Sequence, residues 1–124
     1  MKDLTKAEEQ LMKHLWELST GYLKDIVDQY DEPKPAYTTI STVVNVLVKK
    51  GFIGFELHGN SRQYYPLISK EDYTRESMKG LMNNLFNSSA RQFASFFASQ
   101  KELSVDELKE IRSMIDDQIK KKNS

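Results

Sequence analysis

Residues 36–66 constrain the fold of this chain most, because a helical pattern there runs directly into a strand-turn-strand pattern. Apolar residues recur at three- and four-residue steps, the spacing of one face of a helix: Ile40, Val43, Val44 and Leu47. Lys49 and Lys50 complement the negative end of the helix dipole, and Gly51 is placed to end the helix. The pattern predicts a helix that packs one face against a core.

The residues after Gly51 predict a β-hairpin. Phe52–Leu57 is rich in strand formers, residues 58–61 form a turn, and a second strand over Arg62–Pro66 ends at a proline that cannot donate a ladder hydrogen bond. A helix that leads straight into a hairpin is the element order of a winged helix-turn-helix, in which the hairpin is the wing. The predicted wing tip carries His58, Asn60 and Arg62.

The opposite face of the predicted helix has an unusual composition. It carries hydroxyls, an amide and a cation but no acid: Thr38, Ser41, Thr42, Asn45 and Lys49. Solvated helix faces usually mix Glu with Lys, whereas hydroxyls, amides and cations are the groups that contact DNA bases and phosphates. We therefore predict a double-stranded DNA site formed by Tyr37, Thr38, Thr39, Ser41, Thr42, Asn45 and Lys49 of the helix and Arg62 of the wing.

Some of these roles stay open. Thr39 lies beside Ile40, so it either contacts a phosphate or only caps the helix, and Tyr37 either stacks on a sugar or packs at the helix start. For Lys49 and Lys50, the plain alternative is dipole compensation, and phosphate contact is compatible with it. The alternative to DNA contact is that the whole face is an ordinary polar helix face exposed to solvent. The predicted wing and the two prolines before the helix favour DNA contact.

The residues before this segment predict two more helices. Thr5 and Glu8 form a capping box that starts the first helix, and Gly21 is expected to end it. Tyr22–Tyr30 is predicted as a short second helix. The expected fold is therefore mainly α with a small β-hairpin, and the winged-helix DNA-binding domain spans residues 1–68.

Three further helices are predicted over residues 69–124. Ser69 caps the first, residues 90–100 form the second, and Ser104 with Glu107 forms a capping box on the third. These helices are too few to bury their own apolar faces, so we predict a dimerisation domain that packs against a second copy of the chain. Its expected contacts are Leu81, Leu85, Phe93, Phe96, Phe97, Leu108, Ile111 and Ile115.

The charge distribution agrees with a DNA partner although the net charge is zero. Residues 1–33 carry four basic and eight acidic residues, residues 34–66 carry four basic and one acidic, and residues 67–124 carry ten basic and nine acidic. The clearly basic third is the one that contains the predicted DNA-binding helix and wing.

Several other functions are disfavoured by the sequence. No His is paired with an acid at metal-ligand spacing, and no phosphate loop or nucleophile motif is present, so we expect no enzyme activity, cofactor or metal. His14 is assigned to the outer side of the first helix and Trp16 to the core. The chain has no cysteine, no signal peptide and no apolar run long enough to cross a bilayer, so we expect a cytoplasmic protein without membrane insertion.

Nearly the whole chain resembles the penicillinase repressor family, the BlaI/MecI-type transcriptional repressors. Residues 4–8 with Leu15 and Trp16 are similar to the family's opening helix, residues 39–42 with 47–51 to its recognition helix, and residues 102–108 to the start of its last helix. The resemblance implies a winged-helix domain, a helical dimerisation domain, and repression from palindromic operators ahead of antibiotic-resistance or related genes.

The resemblance also implies a mode of release. In the family a membrane sensor-protease commonly triggers cleavage in the dimerisation domain, and the matching bond here is Phe96–Phe97, with Phe96 where members often have Asn. Thr38 and Val46 stand where members often have basic residues, so the operator sequence need not be the family's. Copper-responsive relatives sense metal through C-terminal cysteines, which this chain lacks.

Two other functions remain alternatives on sequence grounds. A winged helix can be a protein-protein interaction module, which the acidic first third of the chain would suit, or it can bind a small ligand between its helices. The acid-free helix face favours DNA over both.

Overall fold

The computed structural model describes residues 3–124, which form six helices and one antiparallel pair of strands. The elements in chain order are α1 (Lys6–Leu18), α2 (Leu23–Asp28), α3 (Tyr37–Lys50), β1 (Ile53–His58), β2 (Ser61–Pro66), α4 (Lys70–Leu85), α5 (Ala90–Ala98) and α6 (Val105–Asn123). The chain divides into two compact units, residues 1–78 and 79–124. The predicted fold class, mainly α with a small β-hairpin, is confirmed.

Helix α1 starts as predicted but ends earlier. The Thr5 hydroxyl accepts the Glu8 N–H at 3.1 Å, and the Glu8 carboxylate accepts the Thr5 N–H at 2.9 Å, which completes the capping box. The helix ends at Leu18, and Ser19 follows with a φ of 67°. The prediction that Gly21 ends this helix was therefore wrong.

Gly21 instead allows a close backbone approach. Its N–H donates to the Tyr64 carbonyl at 3.0 Å, and the Tyr64 N–H donates to the Gly21 carbonyl at 2.8 Å. A Cβ at Gly21 would lie 3.2 Å from Leu18 Cδ1 and 3.3 Å from Asp25 Cβ, which is tighter than most real contacts. Gly21 thus has two roles: its backbone bridges the α1–α2 loop to β2, and its lack of a Cβ leaves room for Leu18 and Asp25.

Helices α2 and α3 follow the apolar spacing of the sequence. Helix α2 spans Leu23–Asp28, shorter than the predicted Tyr22–Tyr30, and buries Ile26 and Val27. Helix α3 ends at Lys50, and Gly51 has a φ of 85° in the left-handed region, as the sequence predicts. The residues of α3 that are buried in the core are Ile40, Val44 and Leu47.

The hairpin is tighter than the sequence indicates. The strands pair in register from Ile53 opposite Pro66 to His58 opposite Ser61, so the turn contains only Gly59 and Asn60. Gly59 has a φ of 65°, which such two-residue turns require of a central residue. His58 is therefore the last residue of a strand and not a turn residue.

The core of the first unit joins α1, α2, α3, the hairpin and the first turn of α4. Its buried apolar residues are Leu11, Met12, Leu15, Ile26, Val27, Ile40, Val44, Leu47, Phe52, Ile53, Tyr64 and Tyr73. Tyr73 packs edge-on against Phe52, and its hydroxyl donates to Glu9 at 2.9 Å. The Trp16 indole packs beside this core and donates to the Ile68 carbonyl at 2.8 Å. The unit therefore reaches past the residues 1–68 assigned to the DNA-binding domain.

The second unit contains the end of α4 with α5 and α6. Asn87 and Ser88, both at positive φ, separate α4 from α5, and Ser104 caps α6 with the predicted capping box. Helix α5 spans Ala90–Ala98 and ends before the predicted residue 100. None of residues 79–124, all of which the structure describes, is buried in the single chain.

Candidate nucleic-acid interface

The exposed side of α3 is formed by residues opposite its buried stripe. At 3.6 residues per turn, four positions lie within about 60° of one another on that side: Thr38, Thr42, Asn45 and Lys49. All four are exposed, and α3 contains no Asp or Glu. The helix therefore presents hydroxyl, amide and ammonium groups with no carboxylate to repel a phosphate.

The hydroxyl and the amide on this face differ in their availability. Thr42 Oγ1 donates to the Thr38 carbonyl at 2.9 Å, so its proton is already used within the helix and its methyl group and lone pairs remain. Within the described part of the chain, the Asn45 side chain makes no hydrogen bond. An uncommitted amide can pair with adenine through both its donor and its acceptor.

The other helix residues assigned to DNA lie to the sides of this face. Tyr37 is 49% exposed at the first position of α3, and Ser41 is half-buried. Thr39 is exposed and lines a cleft of about 320 Å³ with Tyr30 and Pro35. The roles of Tyr37, Thr39 and Ser41 in DNA contact stay predictions.

The two lysines at the end of α3 are in different environments. Lys49 is exposed, whereas Lys50 Nζ lies 2.7 Å from a Glu8 carboxylate oxygen, with side-chain exposures of 24% and 9%. The hydrogen bond from Lys50 holds the pKa of the Glu8 carboxyl below its usual range. Lys50 therefore has an acidic partner within the protein, which neither dipole compensation nor phosphate contact had indicated. The pair ties the end of α3 to the start of α1.

The wing holds its arginine over an aromatic ring. The Arg62 guanidinium carbon lies 4.3 Å from the centroid of the Phe55 ring, at cation–π distance. Arg62 itself is exposed, so the ring supports the side chain while its donors remain accessible. Beside it, Glu56 lies 3.7 Å from His58 Nε2 and adds a carboxylate to the wing.

The predicted association residues of the second unit include an exposed cluster of phenylalanine rings and further exposed aliphatic side chains. Phe86 packs edge-on against Phe93 at 5.5 Å and Phe96 at 5.7 Å, and Phe93 stacks on Phe97 at 5.8 Å. Phe96 and Phe97 remain 48% and 40% exposed. Leu81, Leu85 and Ile115 are also exposed, and Leu108 and Ile111 are half-buried.

Sequence reasoning left Phe86 out of the association set, although it directly follows α4 and its ring contacts both Phe93 and Phe96. Phe97 joins this cluster through Phe93. Which of these residues meet a second chain stays a prediction.

His14 lies differently from its assignment to the outer side of α1. Its ring packs 4.2 Å from that of Tyr30, and within the described part of the chain its Nε2 is buried without a hydrogen-bond partner. Burial lowers the pKa of the His14 imidazole, against the opposing pull of Glu17 and Asp31. Residues 3–124 contain no cluster of three or more His, Cys, Asp or Glu that could hold a metal ion. Across the same residues, no helix is long and apolar enough to cross a membrane.

Comparison with known proteins identifies relatives over the length of the chain. The methicillin resistance regulatory protein MecI of Staphylococcus aureus (strain N315) is 25% identical over 114 residues, 91% of this chain and 93% of that protein. The penicillinase repressor of Bacillus licheniformis is 23% identical over 115 residues, 92% of this chain and 90% of that protein.

A solved structure supports the same fold. The solution structure of the DNA-binding domain of the repressor BlaI aligns with a TM-score of 0.50 and 27% identity, covering 59% of this chain and 94% of that domain. The description of the matching family is penicillinase repressor, and the match spans residues 4–117. The chain is therefore a winged helix-turn-helix protein that belongs to the penicillinase repressor family.

Proposed function

We propose that this chain is a sequence-specific DNA-binding transcriptional repressor that acts as a homodimer on pseudo-palindromic operators. The observation that carries the proposal is the exposed face of α3, which is free of acid and opposite a fully buried stripe. Membership of the penicillinase repressor family supports it, as does the likeness to a DNA-binding domain of a repressor.

In this proposal the two parts of the chain have separate tasks. Residues 1–68 bind DNA with α3 in the major groove, through Thr38, Thr42 and Asn45. Residues 69–124 hold two chains together through their exposed apolar surface. Two recognition helices related by a two-fold axis would meet successive major grooves about 34–36 Å apart and so read a palindrome.

Repression would be steric, because a dimer on a promoter-proximal operator blocks RNA polymerase. The regulated genes would be antibiotic-resistance or related genes. Release would follow loss of the dimer, since two linked half-sites bind far more tightly than one. If a membrane sensor-protease triggers release, the bond cut would be Phe96–Phe97. That bond lies inside α5, so a protease that needs extended chain would act only after α5 unfolds.

The test is fluorescence anisotropy with DNA from the chain's own upstream region, against scrambled DNA of the same length, at about 150 mM salt. We expect saturable binding with two chains per operator and a clear preference for the upstream DNA. Equal, weak binding to both DNAs would contradict the proposal. It would favour the protein-protein interaction module, which the acidic first third of the chain suits.

A further inference from the structure

We infer that a cleft between α2 and the wing is a second DNA contact of this chain, and that it binds a backbone phosphate between Lys24 and Arg62. The cleft has a volume of about 370 Å³ and is lined by the start of α2 on one side and the wing tip on the other. We refer to it as the α2–wing cleft. The inference rests on the proposed DNA-binding function and adds Lys24 to an interface for which the sequence had indicated Arg62 but no residue of α2.

The backbone fixes the two sides of the α2–wing cleft relative to each other. The paired hydrogen bonds between Gly21 and Tyr64 tie the residue two before α2 to the middle of β2. Lys24 stands three residues after that bridge and Arg62 two residues before it, so neither cation depends on a flexible loop for its position. The cleft is therefore preorganised, which lowers the ordering cost of binding.

The charge of the α2–wing cleft is positive although the chain as a whole is neutral. Its lining contains Lys24 and Arg62 and no carboxylate. Within the described residues neither cation has an ion-pair partner. The nearby Asp25 carboxylate accepts the Tyr22 N–H at 2.9 Å as a helix cap. An anion would therefore not have to break an ion pair to reach either cation.

The remaining polar groups of the α2–wing cleft are hydrogen-bond donors suited to phosphate oxygens. Asn60 and Ser61 line it beside Arg62, and both are exposed. An amide, a hydroxyl, a guanidinium and an ammonium are the side chains that commonly bind DNA phosphates. A contact to a backbone phosphate carries no sequence information, so it would fix the position of the wing on the duplex without reading sequence.

A DNA phosphate fits the setting of the α2–wing cleft better than a free anion. Helix α2 and the hairpin both pack against α3, the helix with the acid-free face, as α1 also does. In helix-turn-helix proteins the helix before the recognition helix crosses the phosphate backbone. A phosphate held between α2 and the wing would anchor the unit to the DNA backbone beside the groove that α3 enters.

The experiment compares Lys24→Gln with Lys13→Gln, an equal loss of charge on α1 outside the α2–wing cleft. Anisotropy titrations with operator and scrambled DNA are repeated from about 50 to 200 mM salt. We expect Lys24→Gln to weaken binding to both DNAs by roughly tenfold at low salt, and to reduce the log–log salt slope by about 0.9 per half-site. Lys24→Arg, which keeps the cation, should bind like the wild type.

A second measurement locates the contact directly. Phosphate-ethylation interference on the operator should show one phosphate per half-site whose modification inhibits the wild type but not Lys24→Gln. If the wild type prefers its operator and Lys24→Gln still matches Lys13→Gln in affinity, slope and interference pattern, the α2–wing cleft is not a phosphate site. If the wild type shows no DNA preference, the proposed function fails, and the inference fails with it.

Discussion

The two units of this chain bury their apolar side chains to different extents. The first unit buries twelve apolar side chains, among them Leu11, Leu15, Val44 and Leu47 at 0% exposure. The second unit has apolar side chains of similar size, yet Phe96 is 48% and Ile115 54% exposed in the single chain. The first unit thus contains its own core, whereas the large apolar side chains of the second unit remain exposed in the single chain.

This difference separates two kinds of apolar residue that look alike in the sequence. Ile40 and Ile115 both belong to helical apolar stripes, but one is 3% and the other 54% exposed. A continuous exposed apolar surface marks an interaction site in a soluble protein. In the proposed function, the first unit uses the polar face opposite its core, and the second unit uses its exposed apolar side chains.

The largest expected effect is that of Phe97→Asp on the second unit. A carboxylate at the centre of the proposed apolar interface cannot be buried unpaired, so the variant should be a monomer with a folded first unit. Loss of the linked second half-site should weaken operator binding roughly 10²–10⁴-fold. Sedimentation and anisotropy measure the two effects on the same sample.

The matched control for that variant is Ser95→Asp, which adds the same charge to α5 on the side away from Phe93 and Phe97. It should remain a dimer and bind the operator like the wild type. A Phe97→Asp protein that still sediments as a dimer would place the interface elsewhere and remove the functional contrast between the two units.

A smaller effect, on stability, distinguishes the two kinds of apolar residue. Leu47→Ala should lower the free energy of unfolding of the first unit by about 2–5 kcal/mol, independently of protein concentration. Ile115→Ala should lower the thermal midpoint in a concentration-dependent way, because its burial depends on a second chain. Differential scanning calorimetry over a tenfold or wider range of concentration tests both. Identical concentration dependence for the two variants would contradict the distinction.

A still smaller effect, confined to specificity, is expected from Asn45→Ala on the polar face. Loss of a bidentate base contact should reduce the preference for operator over scrambled DNA by about 1–3 kcal/mol, with no change in dimerisation. Lys49→Ala is the matched control, since loss of a phosphate contact weakens binding to both DNAs alike. Unchanged operator preference in Asn45→Ala would show that this face does not read bases.

The sequence was sufficient for the elements whose signals are local. The capping boxes at Thr5 and Ser104, the left-handed Gly51 and the helical stripe of α3 depend on residues within a few positions of one another. These local patterns were sufficient for the starts of α1 and α6 and for the end of α3, whereas the ends of α1, α2 and α5 fell short of the predicted residues. The prediction of the hairpin rested on the strand-forming residues on either side of Gly59, which lies in its turn.

The sequence was insufficient where two distant residues meet. Lys50 and Glu8 are 42 positions apart, and nothing local indicates that this lysine is paired while Lys49 is exposed. Gly21 carried the signal of a helix end, yet its role is a bridge to Tyr64. Likewise, the meeting of Lys24 with Arg62 depends on how α2 packs beside the wing, which no spacing in the sequence specifies.

The smallest expected effect is a pH dependence confined to the first unit. Burial lowers the pKa of His14 below its ordinary 6.5, so the folded state favours the neutral imidazole. The stability this contributes is present above about pH 6.5 and is lost as the pH falls toward the lower folded pKa. Glu8 has a folded pKa below its ordinary 4.5, so its contribution is present above that value and is lost at more acidic pH.

Urea denaturation at pH 7.5 and 5.5 measures the loss of stability that comes from His14 separately from the loss that comes from Glu8. The wild type should be less stable at pH 5.5, and His14→Gln should show a smaller difference between the two pH values, because the titrating group is gone. Glu8→Gln is the matched control: it should retain the difference between pH 7.5 and 5.5, since its own loss begins only below about pH 4.5. An unchanged difference in His14→Gln would exclude the buried imidazole as its source. Because Tyr30, Glu17 and Asp31 surround His14, all within the first unit, this pH response should persist in the Phe97→Asp monomer.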